Sequence, residues 1–187
     1  MLIGSSPAFK AATAVLLLSP MIPLLFMGEE WGAREPFLFF TSHHGELADA
    51  VREGRRGEFA EFSEFADEQT RERIPDPNAV ETFEASMPDF GKREQPGHAE
   101  WLALYQRLLG IRHREIVPRL EGARFLGAQA LAEAAVLARW QLGDGSELRL
   151  ELNLGDVDLE VAPPSAGARL LHASRDTDAE SDKGEHI

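Results

Sequence analysis

Cysteine is missing from the 187-residue sequence. That excludes a disulfide framework and any thiolate metal site, and it fits a cytoplasmic protein. Basic residues are scarce: 19 Lys and Arg stand against 32 Asp and Glu, a formal net charge of -13. Nucleic acids and anionic membranes select Lys and Arg on the contact face, so neither is an expected partner. Also missing are an internal repeat, a phosphate-cradling glycine loop, a nucleophile elbow and a His-Glu-x-x-His zinc signature. No metal site and no cofactor are therefore expected. One uncharged run, residues 11–28, is long enough to raise the question of a membrane span, but Pro20 and Pro23 break its second half. It ends in paired glutamates rather than a cleavage site.

That run leads into the stretch with the most chemistry, Ile22-Pro23-Leu24-Leu25-Phe26-Met27-Gly28-Glu29-Glu30-Trp31-Gly32. Apolar residues without alternation predict a strand over 22–27 covered on both faces, as in parallel sheets. Gly28 then releases the chain into a loop bearing two carboxylates and a tryptophan. Ahead of it, Ser5-Ser6-Pro7 followed by good helix formers predicts a helix over 7–18, stopped by Ser19-Pro20. Helix and buried strand in immediate succession make half of a βαβ unit.

Past Trp31 stands an aromatic run, Phe37-Leu38-Phe39-Phe40, and then a polar loop with His43 and His44, where no third metal ligand sits at a recognisable spacing. Residues 46–65 predict a helix interrupted by Gly54 and Gly57. Its Arg52, Arg55 and Arg56 either reach an anionic or hydroxyl-rich ligand or pair with Glu46, Asp49, Glu53 and Glu58 on a solvated face. Residues 67–97 are polar and proline-punctuated, with Ile74-Pro75-Asp76-Pro77-Asn78 the clearest loop. A connection of that length is more often functional than idle. A helix is predicted over 98–115, with Trp101, Leu104, Tyr105, Leu108, Leu109 and Ile116 on one stripe and Arg107, Arg112 and Arg114 off it. Beyond Gly122 the period changes from 3.6 to 2. A hairpin turning at Gly143-Asp144-Gly145-Ser146 follows, and residues 157–161 and 168–172 can add strands. Residues 174–187 carry Asp176, Asp178, Glu180, Asp182 and Glu185, which predicts a disordered acidic tail.

Four segments together carry a resemblance: Ser6-Pro7-Ala8-Phe9-Lys10-Ala11, Leu16-Leu17-Leu18-Ser19-Pro20, Pro23-Leu24-Leu25-Phe26-Met27-Gly28-Glu29-Glu30-Trp31-Gly32 and Glu53-Gly54-Arg55-Arg56-x-Glu58-Phe59. They resemble the C-terminal part of the malto-oligosyltrehalose trehalohydrolases, in the alpha-amylase family of glycoside hydrolases. The resemblance implies an α/β plus all-β chain, the C-terminal fragment of a (β/α)8 barrel followed by a small antiparallel β domain. Residues 1–117 would hold the barrel's last helix, strand and helix with a long connection, 118–173 the β domain, and 174–187 the tail. It further implies a retaining hydrolysis of the alpha-1,4 bond next to a terminal trehalose, with two carboxyl groups about 5–5.5 Å apart. The acting carboxylates belong to earlier strands and are expected ahead of Met1, so no catalytic residue is assigned and the chain alone is expected to be inactive. The family's final strand and Trp-containing ending are replaced here by residues 176–187, which is expected to reflect a truncated or frame-shifted gene.

Glu30, Trp31, Arg55 and Arg56 are then the candidate cleft-lining residues. The expected partners are a maltooligosaccharide-type substrate, once the barrel is complete, and the missing barrel portion itself. A fragment of glycogen-branching enzyme and a stand-alone glucan-binding module are the alternatives.

Overall fold

The computed structural model describes residues 6–59, 67, 70 and 73–174. In chain order its labelled elements are α1 (Ser6–Leu18), α2 (Glu46–Glu58), α3 (Val80–Ala85), α4 (His98–Ile111), β1 (Arg124–Ala132), β2 (Ala135–Gln141) and β3 (Glu147–Asn153). Short 3-10 turns stand at Glu29–Trp31, Phe90–Glu94 and Val117–Arg119, and a π turn at Arg112–Ile116 extends α4. The chain divides into two compact units, Met1–Leu25 with Ala103–Ile187, and Phe26–Leu102.

In the first unit, Pro7 sits in the first turn of α1, where its missing N–H is not needed. Pro20 ends the helix because it cannot donate to the ladder. Helix α1 packs on β3 and on the π turn. Leu17, Leu108 and Ile116 are fully buried, with Leu104 and Tyr105 nearly so. Full burial stabilises by roughly 2 kcal/mol for a side chain of this size.

The predicted stripe of α4 holds at Leu104, Tyr105 and Leu108, but Leu109, expected on it, is exposed, and Arg112 does not lie off it. It is 7 % exposed. Position decides this: residue 112 stands four after Leu108 and shares its face. Its Nη1 donates to the carbonyls of Leu17 at 3.0 Å and Ser19 at 2.6 Å, and Nη2 donates to that of Met21 at 2.7 Å. These acceptors lie at and just past the end of α1, where carbonyls have no helical partner and the macrodipole favours a cation.

Strands β1, β2 and β3 form an antiparallel meander in that order. The register Trp140↔Leu148, Ala138↔Leu150 and Val136↔Leu152 puts the apolar alternation on one face, as the period of 2 predicts. The hairpin turn closes with Leu142 N–H donating to Ser146 O at 2.8 Å and Gly145 N–H to Leu142 O at 2.9 Å. Gly143 is obligatory there, because a Cβ would lie 1.8 Å from the Glu121 carbonyl oxygen. Residues 157–161 and 168–172, expected as further strands, join no ladder. Residues 175–187, most of the expected acidic tail, lie outside the described residues.

The second unit contains little regular structure and is held by side chains. Asn78 is its hub: its Oδ1 accepts from Thr41 Oγ1 at 2.8 Å and from His43 N–H at 3.1 Å, while its Nδ2 donates to the Ala48 carbonyl at 3.1 Å. Beside it, Asp76 accepts from Arg52 Nε at 2.7 Å and from Asn78 N–H at 2.9 Å. Ser86 Oγ accepts from Leu38 N–H at 3.0 Å. An aromatic chain runs through the unit, Phe26 against Phe37, Phe37 against Phe40 and Phe40 against Phe83, with centroids 5.2 to 5.9 Å apart. The helix expected over 46–65 is seen to Glu58, and residues 60–66 lie outside the described residues.

Residues 22–27, expected as a strand, are paired to no strand among the described residues. Ile22 and Leu24 are 93 % and 90 % exposed, and Phe26 and Met27 are half exposed. Among the described residues no helix is long and apolar enough to cross a membrane.

Two outcomes are expected. Arg112→Met leaves three carbonyls without their donor and should lower the unfolding free energy by about 2–4 kcal/mol. Arg112→Lys, lacking the fork, should fall between that variant and the native chain in urea unfolding followed by circular dichroism. The Asp76 carboxyl is held below the usual carboxylate range, first by the Asn78 N–H and then by the Arg52 guanidinium. A depressed folded pKa stabilises at pH values above the ordinary carboxylate pKa of about 4, and that contribution is lost as pH falls through the folded value. Melting curves of the native chain and Asp76→Asn should therefore differ at pH 7 and converge toward pH 3.

Candidate functional site

The turn after residue 27 is shaped by its glycines. Gly28 has φ +90° and Gly32 φ +68°, a region open to glycine and strained for other residues. At Gly28 a Cβ would also lie 2.6 Å from that of Ala33. Between the two glycines the chain makes a 3-10 turn rather than an extended segment. Glu29 and Glu30 curl back on the chain that carries them: Glu29 Oε2 accepts from Phe26 N–H at 2.8 Å, and Glu30 Oε2 from Gly28 N–H at 3.0 Å. Trp31 is 3 % exposed, its ring 5.2 Å from that of Phe90, with its carbonyl 2.7 Å from His98 Nδ1. Its indole N–H has no partner among the described residues. A cavity of about 100 Å³ beside the turn is lined by Gly28, Glu29, Glu35 and Phe37 among others. Glu35 pairs with Lys92, and that hydrogen bond is the main reason its pKa lies below the usual carboxylate range.

Arg55 and Arg56 stand on α2, about 100° apart around the helix axis. Arg56 pairs with Glu53 at 3.2 Å, and its Nε is buried without a partner among the described residues. Arg55 faces a groove. Its guanidinium lies 4.6 Å from the Phe59 ring centroid and 5.2 Å from that of Phe39, and its Nη1 is 2.7 Å from Glu58 Oε2. Cation–π contact and the ion pair together fix the side chain. The groove encloses about 250 Å³ and is lined also by Phe37, Arg73 and Pro75.

Of the four candidates the structure thus places Arg55 in the groove, while Arg56 pairs with Glu53 and Glu30 and Trp31 belong to the 3-10 turn, and none of these three lines this groove or the smaller cavity. Phe39, Phe59 and Arg73 were not singled out from the sequence as site residues. The spacing of Arg55 and Phe59, four apart on one helix face, was the available signal for Phe59. Nothing in the sequence joins either to Arg73. Among the described residues no group of three or more His, Asp or Glu side chains gathers to hold a metal.

Residues 123–186 match the family described as "Domain of unknown function (DUF3459)", a C-terminal domain of alpha-amylase-family enzymes. A malto-oligosyltrehalose trehalohydrolase of Deinococcus radiodurans is 47% identical over 109 residues, 58% of this chain and 17% of the relative. One of Rhizobium sp. (strain M-11) is 37% identical over 168 residues, 89% of this chain and 26% of the relative. A crystal structure from Salmonella typhimurium that carries an alpha-amylase name superposes with a TM-score of 0.71 at 40% identity, over 86% of this chain and 27% of that one. The chain therefore spans only 17% to 26% of the length of these curated relatives. Its helices and three antiparallel strands resemble an alpha-amylase C-terminal region. By these matches the chain is similar to the C-terminal portion of malto-oligosyltrehalose trehalohydrolase, in the alpha-amylase family of glycoside hydrolases.

Proposed function

We propose that this chain forms the last unit of a (β/α)8 catalytic barrel and its C-terminal β domain, in a cytoplasmic enzyme that cuts the alpha-1,4 bond next to the terminal trehalose of maltooligosyl trehalose. Release of trehalose places it in trehalose biosynthesis. The reading rests on the 47% identity to a trehalohydrolase over 109 residues. In it, residues 22–27 are the eighth barrel strand. Their exposed apolar side chains are what neighbouring strands of the missing barrel portion would cover. The Gly28 turn and the connection after it then lie at the C-terminal end of that strand, the face on which such barrels build their sites.

On that face the Arg55 groove binds a maltooligosaccharide-type ligand. Phe39 and Phe59 offer flat apolar surfaces to a sugar ring, and Arg55 with Glu58 offers a donor and an acceptor to its hydroxyls. Glu30, held by Gly28 N–H, shapes the turn, and Trp31 anchors it from the buried side. Neither glutamate of the turn acts in the cleavage. Both carboxylates are engaged by their own backbone, and retaining chemistry needs a pair that flanks the scissile bond. The nucleophile and the acid come from earlier strands of the barrel.

The test uses the purified 187-residue chain with maltooligosyl trehalose and, separately, with maltotetraose in a calorimeter. No trehalose is expected from the first. Weak binding is expected from the second, reduced about tenfold by Arg55→Ala, the scale of one charge-assisted hydrogen bond. Trehalose release by the chain alone, or an Arg55→Ala affinity equal to the native one, would overturn the reading.

A further inference from the structure

Resting on that reading of the groove, we propose that Arg73 is its second sugar-binding guanidinium, placed to donate to the hydroxyls of a neutral glucosyl unit whose ring lies along Phe39 and Phe59. Arg73 lines the same groove as Arg55, is exposed, and has no ion pair or side-chain hydrogen bond among the described residues. Its place is held from two sides. Its N–H donates to the Thr70 carbonyl at 3.2 Å, and three residues later Asp76 is bonded to Arg52 of α2 at 2.7 Å. Arg52 precedes Arg55 by three, one helical turn, so the clasp that holds the loop to α2 also holds the two guanidiniums around one groove.

The two cations are not equivalent. Arg55 is neutralised by Glu58 and covered by two rings, whereas the five N–H donors of Arg73 have no partner among the described residues. A free phosphate or carboxylate would meet the Glu58 carboxylate beside Arg55, in a chain of net charge -13. A polyol instead finds donors at Arg73, and its ring face finds the phenylalanines that line the groove. The volume, about 250 Å³, lies below the roughly 300 Å³ at which drug-sized sites begin, which suits one ring of a longer ligand.

The experiment is calorimetry of the full chain with maltotetraose, comparing native, Arg73→Ala and Arg73→Lys, at 50 and 500 mM NaCl, with inorganic phosphate as a second titrant. The expected result is a Kd raised about tenfold in Arg73→Ala, the loss of one charge-assisted hydrogen bond. Arg73→Lys should recover part of the affinity, melting temperatures should be unchanged, and salt should have little effect. Native affinity in Arg73→Ala, with Arg55→Ala still weakened, overturns this assignment and leaves the proposed function standing. A lowered melting temperature in Arg73→Ala places the residue in the fold and also overturns it. Phosphate binding that is tighter than sugar binding and lost in salt overturns the neutral ligand. If the native chain binds no maltotetraose, the groove reading itself fails.

Discussion

A single guanidinium closes the first unit. Helix α1 ends against Pro20, which has no N–H to continue the ladder, and the carbonyls of Leu17 and Ser19 are buried there. Arg112 meets three carbonyls in this stretch, those of Leu17, Ser19 and Met21. Burial pulls its pKa below the usual guanidinium value, yet an arginine keeps its charge under such conditions. The geometry also explains the π turn as a local device: the wider turn at Arg112–Ile116 lets both Arg112 and Ile116 face inward, on the same side as Leu108. Everything downstream in that unit, from the Val117–Arg119 turn to Gly143 wedged against Glu121, is built onto that junction.

The second unit solves the same accounting problem without long ladders. An irregular connection is stable only if side chains take over the backbone groups that strands and helices would have paired. Asn78 does this for His43 N–H and for the Ala48 carbonyl, and Ser86 does it for Leu38 N–H. The polar, proline-punctuated composition of 67–97 is thus the material of the structure, and the aromatic run Phe37-Leu38-Phe39-Phe40 supplies the apolar side. Arg55 owes its place over Phe39 to this clasp, because Arg52 and Ala48 on the same helix are the groups it grips.

What could be read from the sequence follows the range of the interactions concerned. Helix α1, the core stripe of α4 and the β2–β3 hairpin rest on local periodicity and turn chemistry, and all three are seen. A charged residue is expected to leave an apolar stripe, but Arg112 lies on it, because its three partners, more than ninety residues away in sequence, take its guanidinium. Residues 157–161 alternate as a strand does, but a strand exists only where an edge accepts it, and periodicity carries no record of edges. In the groove, the place of Arg55 is legible from a helix face and its neighbours. Arg73 is not, because its segment is brought to α2 by long-range contacts, Asp76 to Arg52 and Asn78 to Ala48.

The paired glutamates show why residue type alone is a poor guide to chemistry. Two adjacent carboxylates after an apolar run invite a general acid and base, but a functional pair must flank a bond and keep its lone pairs for the reaction. Gly28 and Gly32, both at positive φ, bend the chain so tightly that the nearest donors to Glu29 and Glu30 are the amides of Phe26 and Gly28. A carboxylate that caps its own turn rigidifies the backbone at the end of residues 22–27. That rigidity is what a cleft built on loops requires, since a loop positions a ligand only as well as its own backbone is held. The glutamates therefore shape the turn, and the groove is lined by residues of α2, of the aromatic run and of the loop the clasp holds against it.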